Sequence, residues 1–370
     1  MDGGSPAGRS AAQAPLAAVE YTSVAGWDAL VAAHPQGHLL QRWAWGELKG
    51  AFGWRPLRVA VLGAGEPQCV AAAQVLVRPF KGFSVCYVPR GPMFSGDAAA
   101  DDALLRLLRR VARRRRAFFL RLEPNVLEGD PEADILHSRL QLARFRVATP
   151  LQPRTSMHLD LGPEPERLFA AFSKGHRADV RRAERNGVVV RVGETAADLD
   201  AFYRIMQETA ARASFGIHAR EYYRQAWELF GPDARLLIAS QDGIGDIAAF
   251  LVFASGQDGQ YMYSGSTVEG LRSGANHLLQ WHAIRWVREH GCARYDLWGV
   301  PEELGALSSA PAEERGRIEE EAKANPLYGA YRFKKGWGGE LVRYLPAYDQ
   351  VYLAPAYWLW RKRAPVAEGA

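Results

Sequence analysis

The sequence predicts an α+β protein made of two similar units in tandem, each a mixed, mostly antiparallel sheet flanked by helices. Three observations carry this. The chain has 370 residues, too many for one ordinary core and suited to two. The succession of strand meander, helix and strand occurs twice: "VAVLGAG", "AAAQVLVRPF" and "FSVCYVPRGPMF" lead through a helix to "AFFLRLEP", and "LLIASQDG", "AAFLVFASG" and "YMYSGST" lead through a helix to "RYDLWGV". Antiparallel meanders beside helices mark α+β units rather than a doubly wound sheet.

The elements follow in order. "PLRVAVLGAG" alternates as a strand and ends in a turn, and Gly82 separates the next two strands. "DAAADDALLRLLRRVARRRR" is a helix capped by Asp97, with acids in its first turns and bases in its last, as the macrodipole favours. "AFFLRLEPNV" is a strand stopped by Pro124, followed by a helix over Ala133 to Leu142. The second unit opens with the strand "TSMHLDLG" and the mostly helical "PEPERLFAAFSKGHRADVRRAERNG", closed by Gly187. After the strand "VVVRVGE", helices are predicted at about Ala197 to Ala213 and Arg220 to Phe230. The second meander, the helix "SGANHLLQWHAIRWVREHG" and the strand "ARYDLWGV" complete it. The expected organisation is a disordered leader over 1–17, a first domain over 18–153 completed by 342–370, and a second domain over 154–341.

The composition, 48% hydrophobic and 24% charged, is that of a soluble globular protein. A net charge of +5 suits an anionic partner, or only a solvated, Arg-rich surface. Cys69, Cys86 and Cys292 are few and far apart, with no metal spacing, which predicts reduced thiols and no metal site. The N-terminal stretch lacks a signal-peptide core, and no apolar run reaches the ~20 residues of a membrane span. A cytoplasmic location is expected.

Familiar nucleotide and hydrolase motifs fail. "VLGAGEPQ" puts Gln68 at the third glycine position of a dinucleotide fingerprint, and neither a P-loop nor a nucleophile elbow occurs. His158, His176, His218, His277 and His282 are scattered and read as surface or core polar groups. Three basic features survive. Lys174, Arg177, Arg181 and Arg185 share one helical face, which suits phosphate but is more often merely solvated. Arg113 to Arg116 form a run that is either an RNA contact or a helix end. Lysine is scarce (Lys49, Lys81, Lys174, Lys323, Lys334, Lys335 and Lys362), yet "YGAYRFKKGWGGE" sets two among aromatics and glycines. A lysine there is a compact point charge with rotatable donors, suited to a developing oxyanion.

Seven segments, in order, carry a resemblance: "LLQRWAWGELKGAFGW", "YVPRGP", "KGHRADVRRAERNGVVV", "TAARASFGIHAREYY", "YMYSGSTVEGLRSGANHLLQW", "YDLWGVP" and "LYGAYRFKKGWGGE". Together they resemble the Fem family of peptidoglycan-bridge aminoacyltransferases, over about Gln36 to Tyr352. The resemblance implies two tandem GNAT-like acyltransferase domains, with the C-terminal segment returning to the first. It also implies a reaction: the stem-peptide amine of a peptidoglycan precursor, nucleotide- or lipid-linked, attacks the ester of an aminoacyl-tRNA carrying glycine, alanine or serine. The aminoacyl-tRNA is a co-substrate, and no cofactor is implied.

Carried onto this sequence, Phe333 and Lys334 fall at the catalytic Phe-Lys, and Lys49, Arg212, Tyr222, Tyr223, Tyr261, Tyr263 and Lys335 fall among substrate-binding positions. Strand alternation would place Tyr261 and Tyr263 on one face. Lys334 and Lys335, read as neighbours on an extended segment, would point to opposite sides. On the shared helical face, Lys174, Arg177 and Arg181 would touch tRNA or another phosphate-bearing substrate. The chain departs from the pattern after "PRGP", where Ser95 and Gly96 replace an acid found in many relatives, and it has no room between Asp200 and Leu236 for a coiled-coil arm. "GLRSGANHLL" sits where a CoA pyrophosphate would bind in an acetyltransferase, but Leu271 and Asn276 miss the pattern. The alternatives are a CoA-dependent N-acyltransferase acting on a cell-envelope precursor, or an RNA-binding accessory protein. The C-terminal "APAYWLWRKR" reads either as a closing helix or as a peripheral contact with the inner membrane surface.

Overall fold

The computed structural model describes residues 16–63, 69–213, 215–308 and 310–363. Most of the expected leader and the turn after Gly63 lie outside the described residues. The first half comprises β1 (Ala17–Glu20), α1 (Val24–Ala33), α2 (Trp43–Ala51), β2 (Arg55–Leu62), β3 (Cys69–Phe80), β4 (Phe83–Val88), α3 (Ala98–Arg114), β5 (Ala117–Leu122), α4 (Ala133–Leu142) and β6 (Arg146–Ala148). The second comprises β7 (Thr155–Asp160), α5 (Pro165–Ala171), α6 (Lys174–Arg185), β8 (Val188–Val192), α7 (Ala196–Ala213), α8 (Arg220–Phe230), β9 (Ala234–Gln241), β10 (Gly245–Ser255), β11 (Asp258–Ser266), α9 (Val268–Ser273), α10 (Ala275–Glu289) and β12 (Arg294–Asp296). The chain continues through α11 (Ala312–Ala322), α12 (Tyr328–Lys335), β13 (Glu340–Arg343), β14 (Ala347–Val351) and α13 (Ala354–Arg363).

Two seven-stranded sheets result, ordered β1-β2-β3-β4-β5-β14-β6 and β13-β7-β12-β11-β10-β9-β8. Both are antiparallel except for the pairs β4–β5 and β11–β12, each joined through a helical crossover. The internal repeat read from the sequence is thus a repeat of topology. The C-terminal segment divides: β13 pairs with β7 in the second sheet, while β14 lies between β5 and β6 in the first. A buried ion pair fastens β14, with Arg121 donating to both Asp349 oxygens at 2.8 and 2.7 Å.

The three largest cores hold these layers. Leu104, Leu108 and Leu136 of α3 and α4 pack against Val75 and Leu120 of the first sheet. Leu279, Ala283 and Val287 of α10 pack against Phe250 and Tyr295 of the second. The third core is the seam between the halves, where Leu39, Trp45 and Leu48 meet Phe202, Tyr223, Leu236 and Phe253. Burying such aromatic and aliphatic side chains is worth about 1.5–3 kcal/mol each, so the seam is a core shared by both halves.

Two local expectations are corrected. The helix predicted through "FAAFSKGH" breaks at Phe172, because Ser173 caps a new helix by accepting from the His176 N–H at 3.2 Å. "YGAYRFKK" is not extended but helical, and it ends at Gly336. Tyr331 and Lys334, one turn apart, are its buried face, which a two-residue alternation would have separated.

Candidate active site

Lys334 is 6% exposed at the end of α12. Its Nζ donates to Gly299 O at 2.7 Å and Trp298 O at 3.1 Å, carbonyls that follow β12. An ammonium has three donors, so one remains for a substrate oxygen. Burial lowers its pKa to about 8, partly offset by the Asp296 carboxylate. The carbonyl cradle depends on a turn in which Trp298 adopts φ +64°, unusual for a large side chain. Asp296 holds that turn, its Oδ1 accepting from the Trp298 N–H at 2.7 Å and from the Ser156 hydroxyl. Burial alone would raise the Asp296 pKa, but His158, 3.8 Å away, and Ser156 outweigh it and keep the carboxyl ionised.

Phe333, next to the lysine in α12, lies in an aromatic nest, its ring centroid 5.1 Å from His277, 5.8 Å from His176 and 5.7 Å from Trp337. His176 Nε2 donates to Phe333 O at 2.7 Å. A Cβ on Gly336 would lie 2.0 Å from the His176 ring. The glycine after the lysine pair therefore admits an imidazole. Lys335 is exposed and paired with Glu319 at 3.0 Å, on a different face of α12 from Lys334.

A second constellation lies in the seam. Lys49 of α2 donates to the Tyr222 hydroxyl of α8 at 2.9 Å and stands 4.7 Å from the Trp45 ring centroid. Burial, reinforced by Arg78, lowers its pKa to about 7. His218 stacks on Tyr222 at 3.8 Å, and the Tyr223 hydroxyl accepts from the His218 N–H. Tyr263 packs 5.1 Å from Tyr223. The structure thus brings Lys49, Tyr222, Tyr223 and Tyr263 together.

Tyr261 is elsewhere. The β10–β11 register shifts between Leu251 and Val252, which pair with Tyr263 and Tyr261, leaving Met262 as the extra residue of a bulge. The bulge turns the two tyrosines to opposite faces, correcting the alternation expected from sequence. Tyr261 packs on Phe250 at 5.0 Å, with Lys334 Nζ 6.0 Å from its ring centroid. Arg212 is exposed at the end of α7, 3.8 Å from Glu208.

The phosphate-facing row is only partly open. Arg177 donates to Ala170 O and, at 2.8 Å, to Phe172 O, closing the end of α5. Arg181 lies 5.6 Å from the Phe169 ring centroid, and Lys174 is exposed.

Sequence reasoning missed the groups behind the cradle. Arg90, His38, His158, Asp296 and Tyr344 converge where the halves meet. Arg90 lies 3.6 Å from the Tyr344 ring centroid and donates to Pro153 O at 2.7 Å. His158 Nε2 is 3.0 Å from the Tyr344 hydroxyl. His38, His158, Gln260, Arg294, Asp296 and Tyr344 line a polar cavity of about 110 Å³. Arg90 and Asp296 stood within "YVPRGP" and "YDLWGVP", but only the sheet order brings them together. Among the described residues, no group of three or more His, Cys, Asp or Glu is placed to hold a metal ion, and no helix is long and apolar enough to cross a membrane.

The start of α10, where an acetyltransferase would hold a pyrophosphate, is covered by α6. A Cβ on Gly274 would lie 2.6 Å from Asp179 O.

The comparisons agree with the fold. The crystal structure of FemX superposes with a TM-score of 0.79 at 22% identity, over 93% of this chain and 99% of its own. A tandem GNAT protein from the clavulanic acid biosynthesis pathway superposes with a TM-score of 0.54 at 13% identity, over 91% of this chain and 98% of its own, so the halves share the GNAT fold. Lipid II:glycine glycyltransferases are similar in sequence. That of Staphylococcus saprophyticus is 26% identical over 89% of this chain and 92% of its own, and that of Staphylococcus aureus (strain USA300) is 24% identical over 91% and 94%. The FemAB family model matches residues 22–243 and 238–361, nearly the whole described chain, and the chain belongs to the FemAB family.

Proposed function

We propose that this protein transfers an aminoacyl group from an aminoacyl-tRNA to the stem-peptide amine of a peptidoglycan precursor, extending an interpeptide bridge. The observation that carries the reading is the Lys334 cradle: a buried ammonium fixed by two carbonyls with one donor left over. The reading also draws on the likeness to Lipid II:glycine glycyltransferases.

The neutral amine of the acceptor attacks the ester carbonyl of the donor. A C–N bond forms, the carbonyl π electrons move onto oxygen, and that oxyanion meets the remaining N–H of Lys334. Collapse breaks the C–O ester bond, the ribose hydroxyl takes up a proton, and the amine nitrogen loses one. The ester is already activated, so positioning and charge stabilisation are what the protein must supply. Phe333 and Trp337, packed with His176 and His277, hold the end of α12 that carries the lysine. Lys49 with Tyr222, in the seam, would hold a phosphate or carboxylate of the precursor. Lys174 and Arg181 would meet tRNA phosphates.

The acyl-CoA reading is weaker, since α6 lies across the start of α10 where the pyrophosphate would need room. The test offers labelled aminoacyl-tRNA and labelled acyl-CoA separately, with lipid-linked and nucleotide-linked pentapeptide acceptors. Label moving to the peptide from aminoacyl-tRNA alone is the expected result. Transfer from acyl-CoA, or from neither donor, refutes the reading.

A further inference from the structure

Two exposed apolar segments meet at one end of the first sheet. The β3–β4 hairpin turns through Phe80-Lys81-Gly82-Phe83, with Phe80 50% and Phe83 40% exposed. On α13, Trp358 is 56% and Leu359 48% exposed. A buried aromatic chain joins the two segments: Phe80 packs 6.3 Å from Phe118, Phe118 lies 5.2 Å from Phe119, and Phe119 lies 4.7 Å from Trp360. The Tyr357 hydroxyl donates to Asp349 at 2.7 Å, so one side of α13 is committed to the sheet and the other is left outward. Hairpin and helix are therefore held in one fixed relation, and neither apolar tip is covered by the described residues.

The surroundings are cationic. Lys81, Arg115, Arg116, Arg361 and Lys362 are exposed, and none forms a salt bridge among the described residues. Lys362 Nζ stands 3.7 Å from the Trp358 ring centroid, and Arg116 lies 5.3 Å from that of Phe83. No Asp or Glu occurs in segments 78–84, 111–118 or 353–363. A second copy of the chain would bring this charge against itself, whereas an anionic bilayer answers it: aromatics settle at headgroup depth and Lys and Arg reach the phosphates. We infer that this end of the first sheet docks on an anionic lipid surface, the hairpin tip and the outer side of α13 entering the headgroup layer together. The geometry stands by itself. Its purpose rests on the transferase reading, because docking confines the enzyme to the plane of a lipid-linked acceptor.

The experiment is co-sedimentation of the full chain with vesicles of phosphatidylcholine alone and of phosphatidylcholine with phosphatidylglycerol. Three variants are compared: Phe80→Ser with Phe83→Ser, Trp358→Ser with Leu359→Ser, and Lys81→Gln with Arg116→Gln and Lys362→Gln. The chain is expected to pellet with the anionic vesicles at low salt, and either apolar variant to remain in the supernatant. The charge variant should bind about a hundredfold more weakly, at about fivefold per cation. Transfer to a soluble nucleotide-linked acceptor is measured alongside and should be the same in all four proteins. If the chain ignores anionic vesicles, or the variants pellet as the parent does, docking is overturned whatever the transfer result. If the apolar variants instead dissociate a dimer, the occupant is a second copy and docking is again overturned. If vesicles bind but neither donor is used, docking stands and the transferase reading fails.

Discussion

Replacing Lys334 by methionine separates chemistry from stability, because the two respond differently to pH. Methionine fills the lysine channel but offers no donor to the oxyanion. Loss of one such donor typically costs ~10²–10³ in turnover. The stability effect follows from burial. The lysine pKa falls from 10.5 to about 8 in the folded protein, which at about 1.4 kcal/mol per pH unit is about 3 kcal/mol. Below pH 8 both states carry the proton, and the folded state bears the whole cost of the buried charge. Between pH 8 and 10.5 the unfolded chain binds more protons than the folded one, so this group raises stability with pH until the cost is gone. The variant lacks that rise. Urea unfolding of both proteins at several pH values gives the difference directly, free of groups they share. The expected difference, parent minus variant, grows by about 3 kcal/mol from pH 8 to 10.5. Single-turnover transfer should fall ~10²-fold or more, and the parent's rate should drop above pH 8 as the ammonium is lost. A folded Lys334→Met protein transferring within about threefold of the parent would refute the oxyanion role, and a pH-independent difference would refute the buried charge.

Other expectations follow from the same geometry. Tyr222→Phe removes the acceptor of the Lys49 hydrogen bond in the seam and should weaken acceptor binding about tenfold with little change in kcat, read as a KM effect by initial rates. Asp296→Ala releases the turn at Trp298 and unpairs a buried network, lowering stability by about 3 kcal/mol in urea titration, while Trp298→Gly should be tolerated by the backbone because glycine adopts positive φ freely. Lys174→Gln with Arg181→Gln should flatten the salt dependence of RNA-donor binding by about two charges' worth, and an unchanged slope in a filter-binding titration would remove that face from the contact. Gly274→Ala, at φ +88° and 2.6 Å from Asp179 O, should lower the melting temperature by several degrees without touching the Lys334 cradle.

Periodicity made the helices of this chain legible where one face alone is buried. α7 and α8 begin and end within a residue of their sequence-predicted bounds, since apolar residues recur at helical spacing and the linking residues break it. The Asp97 cap also forms, accepting from the Ala100 N–H at 2.8 Å. Periodicity misled where one residue was out of step. Met262 is such a residue, and no local signal in "QYMYSGS" marks it, because the bulge is set by pairing with β10. In α12 a lysine occupies a buried position, so an apolar pattern could not reveal the helix. The cradle itself joins Lys334 to residues 35 and 36 positions earlier, and its support reaches from Ser156 to Tyr344. Such a site is written in which strands are neighbours, and a linear pattern does not contain that.

The position of β14 has a consequence for how the molecule is made. The first sheet has a gap between β5 and β6 until Ala347–Val351 arrives, and Arg121, buried at that gap, lacks the carboxylate it pairs with directly until Asp349 does. All strands of the second sheet, β7 to β13, precede it in the chain. On a ribosome emitting the N-terminus first, the first half emerges early yet must wait, an open-edged and partly charged sheet, while the second half folds. The order of completion is then the reverse of the order of synthesis. A chain stopped before Ala347 would lose the half that was synthesised first, and a folding helper acting on this protein would find its target near the N-terminus.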